Sequence, residues 1–105
     1  MQVFVVTYAH PDEAGWRVHL VPHIAWLKER VRDGTLLASG PLPSPGAKRA
    51  LLVIRAQDRE ELDRLIATDP FAREGLIADM TAEEWDPIFG AFNQWSSMPQ
   101  NGGAS

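Results

Sequence analysis

The chain has 105 residues, 45% hydrophobic and 23% charged, so it fits one globular domain and is too short to divide into two. It has no cysteine, which excludes disulfides, thiolate metal sites and cysteine nucleophiles, and no segment approaches the length of a membrane span. The N-terminal apolar run is too short for a signal peptide and lacks a basic leader, so, with no cysteine and no membrane span, we expect a cytoplasmic protein. The formal net charge is −4 and the basic residues are scattered, which disfavours nucleic acid as a partner.

The chain opens with a strand, Gln2–Tyr8, in which both alternating sets of side chains are largely apolar. This pattern predicts burial on both faces and a central place in a sheet. A His-Pro turn at His10 ends the strand. A helix then runs to Asp33 and stops at Gly34, and Pro22 either lies in its first turn or kinks a longer helix. Helical spacing gives this helix one apolar stripe: Leu20, Ile24, Leu27 and Val31.

A hairpin and a second helix are predicted next. Thr35–Pro41 and Arg49–Ala56 have strand composition and are joined by a proline-rich loop. Asp58 then opens a helix, and Glu61, three residues on, completes a capping pattern. The buried face of this helix is predicted to consist of Leu62, Leu65 and Ile66.

The second helix breaks at Asp69-Pro70, and a short turn leads to a last strand, Leu76–Trp85. The element order β-α-β-β-α-β predicts a ferredoxin-like α+β sandwich with a four-stranded antiparallel sheet and both helices on one face. The other face needs cover, which a second copy would supply, so we expect a homodimer. Three aromatic residues that follow, Phe89, Phe92 and Trp95, are expected to pack on the body or on a neighbour, so the domain spans 1–95. Residues 96–105 are polar and read as a flexible C-terminal tail.

Among the three histidines, His23 is the best candidate for chemistry. It borders the apolar stripe, where an imidazole would face a pocket between helix and sheet, and it would act there as a general acid or base. The alternative is a partly buried histidine bonded to a carbonyl. His19 lies one turn earlier, but a zinc site needs further ligands, so no metal is expected. His10 lies in the predicted His-Pro turn, and that structural role alone accounts for it.

Four other residues are candidates. Asp69 either caps the turn that follows it or orients a nearby imidazole. Ser39 would donate a hydrogen bond to a ligand, and Gly40 would permit close approach to the backbone. Trp26, beside His23 on the helix, is either a pocket wall or an interface aromatic. The absence of a GxSxG elbow and of a phosphate-binding glycine loop argues against a serine nucleophile and a nucleotide cofactor.

Taken together, the segments HIAWLKERVRDGTLLASGPL and ATDPFAREGL resemble the YCII-related (YciI-like) proteins of the dimeric α+β barrel group. The resemblance runs from about Gln2 to Trp85. It implies a domain that pairs through its sheet and a pocket lined by a histidine and by the aspartate of a D-P-[FY] motif. In this chain those residues are His23 and Asp69.

The resemblance also implies that Ser39 and Gly40 border the pocket, and we assign Phe71 of the D-P-F motif and Trp26 to substrate binding with them. Relatives often carry an arginine shortly before the histidine. The nearest one here is Arg17, which leaves the anion-binding group open.

Some relatives resemble dehydrochlorinases of hydroxylated, chlorinated aromatics, and the wider group includes muconolactone isomerases and cofactor-free monooxygenases. The resemblance therefore implies a cofactor-independent lyase or isomerase that acts on a small cyclic, aromatic or enol-like substrate by elimination or isomerisation. In it His23 would be the base and Asp69 its orienting partner. The competing interpretation is a non-catalytic small-molecule-binding or regulatory module on the same scaffold. A third is a monooxygenase of phenolic substrates.

Overall fold

A computed structural model describes residues 1–43 and 45–100 of the chain. The helices and strands, in chain order, are β1 (Gln2–His10), α1 (Glu13–Arg32), β2 (Leu36–Leu42), β3 (Lys48–Ala56), α2 (Arg59–Ile66), α3 (Pro70–Arg73) and β4 (Ala78–Trp85). A single 3-10 turn, Asn93–Trp95, follows β4. Most of the predicted elements are present within two residues of their expected ends, whereas α3 was expected only as a turn. Residues 101–105 of the predicted tail lie outside the described residues.

The four strands form one antiparallel sheet in the order β2-β3-β1-β4. β1 lies in the centre, as its two-sided apolar pattern predicts, and β2 and β3 form the predicted hairpin. The ferredoxin-like α+β fold is therefore confirmed. β1 continues past Tyr8 to His10, so His10 belongs to a strand and not to a turn.

The core lies between one face of the sheet, here called the front face, and the helices. Phe4, Val6 and Tyr8 lie on the front face of β1, and all three are buried. Leu62 and Ile66 of α2 pack against them, as the sequence predicts. Nine residues form this buried cluster: Phe4, Val6, Tyr8, Leu36, Leu52, Ile54, Ala56, Leu62 and Ile66.

α1 is a single 20-residue helix that begins after an Asp12 cap. Gly34, at φ +82°, follows the C-cap and ends the helix as predicted, because a left-handed backbone favours glycine. Pro22 lies within the helix and not in its first turn. Of the α1 residues, only His23 is buried. The helix is therefore anchored differently from α2.

After β4 the chain packs back on the opposite face of the sheet, here called the back face. The ring of Phe92 meets Trp85 edge-on with centroids 6.2 Å apart, and the Arg55 guanidinium lies 3.7 Å from the ring centroid of Trp95. Phe89 stays exposed. Two of the three predicted aromatic side chains thus contact the body, and the domain boundary placed at residue 95 stays a prediction.

Within the described residues, no helix combines the length and the apolar character that crossing a membrane requires. The cytoplasmic location stays a prediction.

Candidate functional site

A cavity of about 840 Å³ opens between α1, the front face of the sheet and the β2–β3 hairpin. This size is typical of small-molecule sites. One wall is the apolar stripe of α1: Leu20, Ile24, Leu27 and Val31. Because the stripe faces a cavity, Ile24 remains 38% exposed. The stripe is therefore largely a cavity wall, and of its residues only Leu27 also packs against the core.

His23 and Asp69 meet beside this cavity, although 46 residues separate them in the chain. Nδ1 of His23 lies 2.7 Å from Oδ1 of Asp69. The residues are 7% and 1% exposed, so water competes little for the contact. His23 reaches the cavity from α1, whereas Asp69 lies behind it at the start of α3.

Asp69 makes a capping contact and a histidine contact at the same time. Its Oδ1 also accepts the Phe71 backbone N–H at 3.0 Å, so Asp69 caps α3 while it contacts His23. A carboxylate only accepts hydrogen bonds, so Nδ1 of His23 carries the hydrogen in this pair. Nε2 is then the lone-pair nitrogen of a ring that lines the cavity.

Phe71 fixes the plane of the His23 ring. The two rings stack with centroids 3.8 Å apart and an interplanar angle of 6°. Phe71 is buried and also lines the cavity, where the sequence analysis expected it. The Asp69 contact and the Phe71 stack together leave the imidazole little freedom to rotate.

One turn on either side of His23, α1 makes two more polar contacts with the α3 region. Nε2 of His19 lies 3.5 Å from Oε1 of Glu74, and the indole N–H of Trp26 donates to Oγ1 of Thr68 at 2.8 Å. Trp26 therefore anchors the helix and does not line the cavity, which corrects its assignment to substrate binding. His19 contacts Glu74, and the described residues contain no group of three or more potential metal ligands.

Ser39 and Gly40 line the cavity from β2, as the resemblance implies. A Cβ atom at Gly40 would meet open space, so packing does not require glycine at that position. Arg17 is exposed and lies outside the cavity wall. The group that would contact an anion must therefore lie elsewhere.

His10 is a site residue that the sequence analysis missed. It is 6% exposed, lines the cavity and stacks on Trp16, with centroids 6.1 Å apart and an interplanar angle of 13°. Burial lowers the pKa of His10, and the charges of His23 and Lys48 act in the same direction. Within the described part of the chain, its buried Nδ1 has no hydrogen-bond partner. The missed signal was the strand alternation, which continues from Tyr8 to His10 on the front face.

Tyr8 lies beside His10 in the cavity floor, with ring centroids 5.9 Å apart. Burial raises the pKa of the Tyr8 phenol, and the negative charge of Asp69 adds to the effect. Tyr8 is therefore a neutral hydroxyl at the base of the site.

Comparison with known proteins agrees with the fold. A family profile described as the YCII-related domain matches residues 1–86. No curated protein matches the chain. Among solved structures, the chain is similar to a 5-chloro-2-hydroxyhydroquinone dehydrochlorinase from Burkholderia phenoliruptrix, in complex with 2,5-dihydroxybenzoquinone. That match has a TM-score of 0.68 and 19% identity, and it covers 80% of this chain and 93% of that one.

Two further structures share the fold less closely. An antibiotic biosynthesis monooxygenase has a TM-score of 0.52 and 16% identity, with 80% of this chain and 96% of that chain covered. The protein Rv0793 from Mycobacterium tuberculosis has a TM-score of 0.52 and 13% identity, with 87% and 99% covered. At such identities the solved structures show a shared fold and not a shared activity.

Proposed function

Because the chain belongs to the YCII-related domain family, we propose that it is a small cofactor-independent enzyme in which His23 and Asp69 move a proton on a small cyclic, aromatic or enol-like substrate. One observation carries the proposal: a buried His–Asp contact of 2.7 Å whose imidazole lines a cavity of ligand size. A carboxylate that holds an imidazole in one tautomer is the arrangement that general acid–base catalysis uses.

The proposed reaction starts with proton abstraction. Nε2 of His23 takes a proton from the substrate, and Asp69 stabilises the imidazolium that forms. The electron pair released forms a double bond. In elimination a leaving group such as chloride departs with its bonding pair, and His23 returns the proton to water. In isomerisation His23 returns the proton to another atom of the substrate. Neither route needs a metal or an organic cofactor.

Two cavity residues support this chemistry. Ser39 lines the cavity and would donate a hydrogen bond to a substrate oxygen that gains negative charge. Phe71 stacks on His23 and would hold its ring during proton transfer. The hydroxyquinone and hydroquinone compounds named for the Burkholderia structure are the first substrates to test.

The test compares two histidines of the same helix. We expect His23→Ala to lower turnover of a hydroxylated, chlorinated aromatic or a lactone by about 10²–10⁴-fold, the usual contribution of a general base. His19→Ala is the matched control, because His19 lies one turn away and contacts Glu74 outside the cavity wall. Its turnover should equal that of the wild type. Turnover that is indifferent to His23→Ala would overturn the proposal.

The same assay distinguishes the competing functions. Ligand binding that survives both His23→Ala and Asp69→Ala, without turnover by the wild type, would indicate a binding or regulatory module. Oxygen uptake with a phenolic substrate would indicate a monooxygenase.

We also propose that a second copy covers the back face. Val5, Leu51 and Val53 line a shallow groove of about 400 Å³ there, bordered by Phe92. Apolar sheet faces of this kind are commonly covered by another layer. Light scattering should give twice the chain mass for the wild type and the monomer mass for Val5→Lys. A wild-type monomer at high concentration would contradict this assembly.

A further inference from the structure

The cavity carries positive charge in a protein whose formal net charge is −4. Three cationic side chains, Lys28, Lys48 and Arg49, line it, against one carboxylate, Glu13. Lys28 and Lys48 are the only lysines of the chain. A cleft with an excess of one charge concentrates ligands of the opposite charge.

These cations are not neutralised by the protein itself. Within residues 1–43 and 45–100, none of the three lies within ion-pair distance of a carboxylate. Elsewhere in the same part of the chain, four arginines do have carboxylate partners: Arg30, Arg32, Arg59 and Arg64. Arg17, Arg55 and Arg73, outside the cavity, are likewise in no ion pair within these residues, so what distinguishes the cavity is that three cations without a carboxylate partner line one space. An anionic ligand would neutralise part of this charge.

Aromatic rings connect one of these cations to His23. The ammonium of Lys48 lies 4.8 Å from the ring centroid of Trp16, and Trp16 stacks on His10. His10 contacts Phe71 with centroids 5.8 Å apart, and Phe71 stacks on His23. All five residues line the cavity. The wall thus has a positive end at Lys48 and a proton-accepting end at His23. Between them lie the partly exposed ring of Trp16 and the largely buried rings of His10 and Phe71.

The sheet register supports this order. Lys48 is the cross-strand partner of His10, so the β3 cation and the buried imidazole occupy neighbouring places on adjacent strands. His10 contributes its ring to this wall, and its buried Nδ1 has no hydrogen-bond partner among the described residues. Flat ligands bind such surfaces by stacking, and a nearby cation selects those that carry an anion.

We propose that the substrate is a flat aromatic anion whose carboxylate or phenolate oxygen pairs with Lys48 while its ring lies along Trp16 and His10. The reacting atom then lies at the His23 end of the wall. This inference rests on the proposed function, because it names the substrate class of the same site, but the two can fail separately. It also assigns the anion-binding role to the β2–β3 hairpin.

Three probes of similar size test separately the contribution of the negative charge and that of the aromatic ring to binding. Benzoate has the ring and the charge, benzamide has the ring without the charge, and cyclohexanecarboxylate has the charge without the aromatic ring. We expect benzoate to bind wild-type protein about tenfold more tightly than benzamide in an NMR titration, since a charge-assisted hydrogen bond is lost in the amide. Cyclohexanecarboxylate should bind more weakly than benzoate. The pair 4-nitrophenolate and 4-nitroanisole repeats the comparison for a phenolate.

The variants locate the anion. In Lys48→Met, which keeps an apolar stem over Trp16, the preference for benzoate over benzamide should fall to about twofold or less. Arg64→Met is the matched control, because it removes the same charge from α2, away from the cavity. Its preference should equal that of the wild type.

Equal binding of benzoate and benzamide by the wild type would overturn the inference. So would failure of both to bind at millimolar concentration, or a preference that Lys48→Met leaves intact. His23→Ala distinguishes the two proposals. A preference that persists in this variant, with no turnover of any substrate by the wild type, would leave the binding inference standing and remove the proposed catalysis.

Discussion

The two long helices lie on the same face of the sheet but are held there in different ways. α2 packs directly on the core, with Leu62 fully buried and Ile66 almost so. α1 turns most of its apolar stripe toward an open cavity and contacts the α3 region through His19, His23 and Trp26. Packing of α2 on the core therefore stabilises the fold through apolar contacts. α1 instead forms a wall of the cavity, and polar contacts with the α3 region hold it in position.

The difference shows that an apolar stripe does not by itself indicate packing. On α2 the stripe is buried, and removing part of it would create a void. On α1 the stripe already faces a space of about 840 Å³. A ligand that fills this space would bury the apolar stripe of α1. Ligand binding should therefore raise the free energy of unfolding.

The largest expected contrast is between Leu62→Ala and Ile24→Ala. We expect Leu62→Ala to lower the free energy of unfolding by about 2–5 kcal/mol, because it leaves a void in a closed core. Ile24→Ala should cost less than about 1 kcal/mol, because the side chain is already partly exposed at a cavity. Urea denaturation measures both. Equal losses of unfolding free energy in the two variants would contradict the distinction between a buried stripe on α2 and a cavity-facing stripe on α1.

A second comparison concerns the two aspartate caps. Asp58 Oδ1 accepts a backbone N–H at the start of α2, and Asp69 caps α3 and also contacts His23. Asp58→Ala should cost about 0.5–2 kcal/mol, the usual value of a cap. Asp69→Ala should cost about 2–4 kcal/mol, because two buried donors lose their acceptor. Asp69→Asn keeps an acceptor and should lie between them. Urea denaturation measures the free energy of unfolding of the three variants. A loss in Asp69→Ala no larger than that in Asp58→Ala would contradict the polar anchoring of α1.

The smallest expected effect concerns His10. Its pKa is lowered from 6.5 in the fold by burial first, so the unfolded chain binds more protons just below that value. The contribution of neutral, buried His10 to the free energy of unfolding is therefore complete above pH 6.5. It is lost as the pH falls toward the pKa of His10 in the folded protein. We expect His10→Phe to change stability above that pH by less than about 1 kcal/mol and to weaken the loss in acid.

The measurement for His10 is the free energy of unfolding as a function of pH, in wild type and His10→Phe. Both proteins contain His23 and Lys48, so the difference between the curves isolates His10. Parallel curves would show that the burial of His10 has no energetic consequence.

Much of the fold was predictable from local pattern. The two-sided apolar strand at the start indicated the central position of β1, and the Asp58–Glu61 pattern located the start of α2. The structure shows Asp58 accepting the Glu61 N–H at 2.8 Å. These features depend on residues close together in the chain, where propensity and capping act directly.

The site was predictable only in part, because its geometry depends on distant segments. Helical projection put His23 beside the apolar stripe but could not show that the stripe faces a cavity. Asp69 uses one oxygen for a local cap and a distant imidazole, so its local pattern fitted both interpretations. Trp26 was misassigned because its partner, Thr68, lies 42 residues away. His10 was missed because the His-Pro step suggested a turn where the strand continues.

The most direct test of the proposed function is the protonation pattern of the His23 ring, read from nitrogen–proton correlation NMR. We predict that the neutral ring carries its hydrogen on Nδ1, as the 2.7 Å contact with Asp69 requires, and that 2,5-dihydroxybenzoquinone shifts the Nε2 resonance on titration. In Asp69→Ala the preference for the Nδ1 hydrogen should weaken. A neutral ring that carries its hydrogen on Nε2, or an Nε2 resonance that no cavity ligand shifts, would contradict the assignment of His23 as the base.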